Sequence, residues 1–251
     1  MFRTLLGKEF REQWRTWKMV IFLVVFLIIG CASPVLAKYT PALLRSIPEV
    51  AEFADHIPEP TIKDAVVQYI KNAIQFGILL VVLLTMGVLA QEKERGTAAM
   101  LFTKPVSRSA VVLAKWLAGI TTLSLGLVLG GICCLVYTAI LFEPLPVGKF
   151  LVFSLFLLIS LGVYLSITLL VSALSRTQGM AAAGAFGGMA VLLVLSAIPR
   201  IGDYTPGKLD SWGSSLLTGS GEAAWPALIV SLALIILAIT VACLHLERQE
   251  I

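Results

Sequence analysis

The chain has 251 residues, of which 58% are apolar and 14% charged, with a net charge of +4. A water-soluble domain needs nearer ~25% charged residues to coat its surface, so lipid is the expected solvent for most of the structure. Basic residues stand in short segments beside apolar runs rather than on one continuous face, which excludes a nucleic-acid-binding protein.

Residues 1–18 predict an amphipathic helix. Phe2, Leu5, Leu6, Phe10, Trp14 and Trp17 recur at spacings of three and four, while Arg3, Lys8, Glu9, Arg11, Glu12 and Arg15 fill the other faces. Such a helix lies in the membrane interface with its basic side toward anionic headgroups. Ile28-Ile29-Gly30-Cys31 loosely resembles a lipoprotein cleavage box. The stretch before it is too long and carries Glu9 and Glu12, unlike a signal peptide, so no cleavage is expected.

A helical span needs ~20 apolar residues. Six stretches between residues 19 and 251 qualify, giving an all-α integral membrane fold: Met19 to Leu36, Ile74 to Ala90, Val111 to Phe142, Phe150 to Leu174, Gly179 to Ile198, and Pro226 to Leu244. An outer loop at 37–73 follows the first span. Within it Thr61 and Asp64 match a capping box, and the helix they start is expected to run straight into the second span. His56, between Asp55 and Glu59, reads as a solvated turn, and no metal site is expected. Lys115, in the first turn of the third span, is expected to snorkel to the headgroups. Gly126 and Gly130 form a G-x-x-x-G pair there, and Gly184 and Gly188 form another in the fifth span. The fifth-span pair, flanked by Gly179, Ala183 and Gly187, is the stronger candidate for close helix packing. The short link at Ser175 to Gln178 makes spans four and five an antiparallel hairpin. A second outer loop, at 199–225, is rich in Gly and Ser. Cys31, Cys133, Cys134 and Cys243 fall in apolar runs without metal-ligand spacing and read as small hydrophobes.

With the N-terminus inside, the inner segments hold twelve Lys and Arg and the outer ones seven, while acids divide six to nine. Both termini are therefore expected in the cytoplasm. Trp17, Trp116, Trp212 and Trp225 lie near span ends, as an aromatic belt would.

The most informative segment is the cytoplasmic loop at 91–110. Gln91-Glu92-Lys93-Glu94-Arg95-Gly96-Thr97 is a charged exit from the second span. Ala98 to Thr103 predicts a short apolar helix, and Lys104-Pro105-Val106-Ser107-Arg108 leads back to the bilayer. An apolar helix between charged clusters suits the membrane surface or a groove on a partner. This ordered run resembles the signature loop of ABC-2-type permeases, the membrane subunits of ATP-binding-cassette exporters. The resemblance extends over nearly the whole chain: interfacial helix, six spans, first outer loop and this loop. It implies a coupling helix that contacts a separate ATPase, with Glu92, Glu94, Gly96, Thr97, Lys104, Pro105, Ser107 and Arg108 matching the motif. Ala98-Ala99 departs from it, since many relatives place a larger apolar residue and an acid there.

No Walker-type phosphate loop occurs, and H-E-x-x-H, G-x-S-x-G and C-x-x-C are absent. The expectation is a transport subunit rather than an enzyme, with no cofactor of its own and with ATP and Mg held by the partner ATPase. Away from their ends the spans carry no ionisable Asp, Glu, Lys, Arg or His, which disfavours a secondary carrier. A second permease copy or a sister permease, and membrane lipids, are the other expected partners. The alternative is a motor-free membrane protein, such as an assembly factor or lipid-handling protein, which has no use for the coupling loop.

Overall fold

A computed structural model describes residues 2–46, 59–95, 107–219 and 223–248. Gly96, Thr97, Lys104 and Pro105, like His56, lie outside the described residues. The described residues form helices joined by turns and short links, with no strand among them. Among them, six helices are long and apolar enough to cross a bilayer.

The N-terminal helix α1 spans Phe2–Arg15, and a turn at Thr16 and Trp17 leads into α2, Lys18–Arg45. Trp17 adopts a left-handed backbone (φ 60°), which reverses the chain sharply at the mouth of the first span. Helix α2 continues beyond the expected end at Leu36, through Pro34 and Pro41. A helical proline removes one N–H bond but leaves the rest of the ladder standing. Next to each proline a hydroxyl bonds back to the preceding turn: Ser33 donates to the Ile29 carbonyl at 2.7 Å and Thr40 to Leu36 at 2.5 Å. Lys38 fixes the extension by donating to the Leu141 carbonyl at 2.8 Å.

Helix α3 covers Ile62–Thr85 in one piece, as the capping box predicts. The Asp64 carboxylate accepts from the Thr61 N–H at 2.8 Å and the Thr61 hydroxyl at 2.7 Å. After a turn at 86–89 the second span resumes as a short helix, α4, Ala90–Glu94. The remaining spans are α5 (Arg108–Leu141), α6 (Val147–Leu174), α7 (Gln178–Ala197) and α9 (Trp225–Arg248). Between α7 and α9 lie a 3₁₀ turn, Gly202–Tyr204, and α8, Pro206–Thr218. An even number of crossings puts α1 and the end of α9 on one side of the bundle, here the termini face.

Helix α6 is the central post, packed against α3, α5, α7, α8 and α9. The core is built around Phe26, Tyr69, Val81, Leu123, Phe153 and Leu161. Three residues, 175–177, join α6 to α7, forming the expected hairpin. Trp212 differs from expectation. It does not face the interface: it is buried, 4.5 Å from Phe156 between ring centroids, because α8 folds back onto α6. Trp17 and Trp225 are exposed, and Trp116 donates to the Ser166 hydroxyl at 2.8 Å.

The closest backbone approach joins α2 to α5. A Cβ on Gly130 would stand 2.5 Å from the Phe26 carbonyl oxygen, and one on Gly30 would stand 2.1 Å from that of Gly130. Gly126 makes room for the Phe22 and Phe26 rings. In α7, Gly184 and Gly188 face Val171 and Ile167 of α6, whereas Gly179 and Gly187 face open space. The tightest small-residue contact is thus in the third span rather than the fifth.

Gly130→Ala should cost about 1–3 kcal/mol, because the added methyl meets backbone that has no rotamer to change. Gly187→Ala should be neutral or slightly stabilising, since Ala is the better helix former. Thermal unfolding of the detergent-solubilised protein measures both.

Candidate functional site

The charged loop leaves the second span and re-enters through the third, and its described flanks are tied into the bundle. At the centre is Lys115. Its side chain is wholly buried and does not reach the headgroups. An ammonium removed from water needs close anionic partners. Lys115 Nζ donates to both oxygens of Glu9, at 3.2 and 3.1 Å, and to Glu92 Oε1 at 2.8 Å. Lys8 closes the network, contacting Glu9 and Glu92 at 3.2 Å and Glu12 at 3.3 Å.

The face of α1 turned to the bundle therefore takes only part of its apolar stripe: Leu5 packs with Leu89, Val111 and Leu246. Leu5 and Glu9, one turn apart, are its buried residues, and Phe2, Trp14 and Trp17 project outward. One turn further on, the Gln13 side-chain carbonyl accepts from Thr122 of α5 at 2.5 Å. Polar contacts fix the helix inwardly, while its exposed tryptophans remain available to an interface.

Burial pushes the Glu12 carboxyl up, but Lys115 and Lys8 outweigh this and hold it below its ordinary value. Burial likewise pulls Lys8 down, and Glu9, Glu92 and Glu12 outweigh that and hold it above its ordinary value. The carboxylates of Glu9, Glu12 and Glu92 come within 4.8 Å of one another, close enough to hold a cation. Two ammonium groups, Lys8 and Lys115, already pair with them there. Beside the cluster is a cavity of about 50 Å³ with Gln13, Lys18 and Thr122 on its polar side and Phe22, Trp116 and Leu123 on its apolar side.

Three other residues tie the loop's flanks to further helices. Glu94 Oε2 accepts from the Gln178 N–H at 2.9 Å, placing a carboxylate on the N-terminus of α7, where the helix dipole favours one. Lys93 Nζ donates to the Ala173 carbonyl of α6. Arg108 Nη1 donates to the carbonyl of Leu246 at 2.9 Å, at the C-terminal end of α9. Ser107 is at the N-cap of α5 without a capping hydrogen bond from its side chain. The turn at 86–89 is also closed from α6, where the Ser172 hydroxyl accepts from the N–H groups of Leu89 and Ala90 at 3.0 and 3.1 Å.

The structure thus brings Glu92 together with Glu9 and Lys115, a pairing that sequence reasoning missed. The available signal was Lys115 itself, a lysine two turns inside a long apolar helix. Gly126, Gly130, Gly184 and Gly188 lie away from this cluster, in the helix contacts described above.

Six helices long and apolar enough to span a bilayer, an amphipathic N-terminal helix docked on them and charged flanks anchored between spans two and three define a polytopic membrane protein. The chain belongs to the ABC-2 family of transporter proteins, whose family model matches residues 3–203. It is 25% identical over 231 residues to YxlG of Bacillus subtilis (strain 168), an uncharacterised transmembrane protein, covering 88% of this chain and 86% of that one.

Lys115→Met should destabilise the protein by up to about 3–5 kcal/mol, because buried Glu9 is left with only the partly exposed Lys8 as a partner. Combining it with Glu9→Gln should restore most of the loss, as read by thermal unfolding. The pH response follows from the two shifts. The contribution of Glu12 is present above the ordinary glutamate value and disappears as pH falls through its lowered one. That of Lys8 is present below the ordinary lysine value and disappears as pH rises through its raised one. Docking of α1 should accordingly be flat across neutral pH and weaken only at the extremes. Thiol labelling of Leu5→Cys, hidden while α1 is docked, reads this directly.

Proposed function

We propose that this chain is the permease subunit of an ATP-binding-cassette exporter in the cell membrane, with both termini cytoplasmic and hydrolysis of ATP carried out by a separate ATPase pair. Two permease chains, either two copies or this one with a sister, form the transport path between them. The loop at 91–110 receives the movement of the ATPase. Glu92, Glu94, Gly96, Thr97, Lys104, Pro105, Ser107 and Arg108 are its working residues.

The observation that carries this reading is how the described flanks are held. Glu92, Lys93, Glu94 and Arg108 reach five helical elements, α1, α5, α6, α7 and α9. A push on the loop is delivered to the termini-face ends of all five together, so spans two and three tilt as a body and take α1 with them. ATP and Mg belong to the ATPase, and this chain supplies geometry rather than chemistry. The excess of Lys and Arg on the termini side supports the cytoplasmic orientation.

Co-purification of the ATPase with the permease tests the proposal. Lys104→Glu should reduce ATPase recovery by about tenfold, the effect of ~1.4 kcal/mol at a charged contact. Glu94→Ala should leave recovery intact and lower permease-dependent ATP hydrolysis, because the loop then no longer grips α7. Full ATPase recovery after residues 96–106 are replaced by a Gly-Ser linker would remove the loop from the coupling role.

A further inference from the structure

Helix α8 carries a carboxyl group into the bundle on the side opposite the termini. Thr205 precedes the helix, Pro206 opens it, and Gly219 at φ +90° closes it. Leu209 and Trp212 press against Phe156 and Ala227, and Phe153 fills the space over Gly213. This packing carries Asp210 to the middle of α6, where Ser160 donates to its Oδ2 at 2.9 Å.

The other oxygen, Oδ1, is buried and has no hydrogen-bond partner, and the same holds for the Ser231 hydroxyl of α9. Ala227, one turn before Ser231, shares a cluster with Phe156, and Ile235, one turn after it, approaches the Cβ direction of Gly162. Ser231 therefore stands at the level of Ser160. A carboxyl group with one unpaired oxygen and an unpaired hydroxyl, both enclosed, occupy one layer of α6, α8 and α9.

Among the described residues no cation pairs with this carboxylate. The one side chain that bonds Asp210 is Ser160, and the Tyr164 hydroxyl, also on α6, is near enough to feel its charge. Lys208 of α8 pairs with Asp203 of the 3₁₀ turn at 2.8 Å, on the exposed side. Helix α7 has no ionisable side chain, and those of α9 (Cys243, His245, Glu247 and Arg248) are at its far end. On α3, Lys63, Asp64 and Lys71 are exposed, and Tyr69 packs on Phe150. An enclosed carboxylate with one hydroxyl donor is far less stable than the neutral acid. Burial accordingly pushes the Asp210 carboxyl up to about 8, and only Ser160 opposes the shift.

We propose that Asp210 is a proton-binding site: the protonated carboxyl allows α8 to stay docked on α6 and α9, and loss of the proton releases the helix. The sign follows from linkage. The docked state binds the proton more tightly than the released one, so docking is strongest at acid pH. It weakens as pH rises from the ordinary aspartate range through the raised value, and the loss is complete above it. This inference does not depend on which motor drives the protein.

Hydrogen exchange of the α8 amides in the full chain, corrected for the intrinsic pH dependence, tests it. In the wild type, local opening should rise by up to about tenfold per pH unit between about pH 5 and pH 8, then level off. Asp210→Asn, which keeps the shape and stays neutral, should give a flat profile. Ser160→Ala removes the hydrogen bond that favours the charged form, so opening should level off at higher pH. It serves also if Asp210→Asn does not fold. A flat wild-type profile, a rise shared by Asp210→Asn, or a levelling point unmoved by Ser160→Ala would each overturn the proposal.

Discussion

One ammonium group governs the termini face. Lys115 is two turns into a membrane-spanning helix and fully enclosed, a position that a lone cation does not tolerate. Its partners come from α1 and from the end of the second span, so neither element can move away without stranding a charge in a medium of low polarity. That constraint explains why an amphipathic helix presents Glu9 inward and Trp14 outward. It also explains why the start of the charged loop is at a fixed height: Glu92 is held by Lys115 and Lys8 before the chain leaves the described bundle.

Deeper in the bundle the logic changes from charge to shape. Lipid gives helices little hydrophobic reason to associate, so close packing and hydrogen bonds must do so. Gly30 and Gly130 bring α2 and α5 into backbone contact, and α6 collects the remaining spans through side-chain hydroxyls as well as apolar groups. Ser160, Ser166 and Ser172 of α6 contact Asp210, Trp116 and the backbone of residues 89 and 90 respectively. A single helix thereby fixes elements on both faces of the membrane domain.

Much of this architecture is legible in the sequence because its determinants are local. Six apolar runs of sufficient length mark the spans, Thr61 and Asp64 mark the start of α3, and the short segment after Leu174 marks a hairpin. What escaped depends on partners far away in the chain. Glu9 and Lys115 are separated by 106 positions, and nothing near either one announces the other. The continuation of α2 past Pro34 and Pro41 defies the local rule, because tertiary contacts such as that of Lys38 with Leu141 hold the helix together. Helix α8 reads as part of a polar outer loop because Asp210 and Ser211 stand between Leu209 and Trp212, the residues that bury it. Of the candidate site, the acidic and basic flanks were visible as a pattern, whereas their counterparts on other helices were not.

The interruption at 86–89 has a mechanical meaning. A bend in a spanning helix ordinarily exposes backbone N–H groups to hydrocarbon, which keeps such rods stiff. Here the Ser172 oxygen takes both N–H groups at the joint, so it serves as a pin between the second span and α6. Residues 90–94 are thereby clamped to α6 as well as joined to the rod below, and a load applied to them is shared between the two helices instead of bending one.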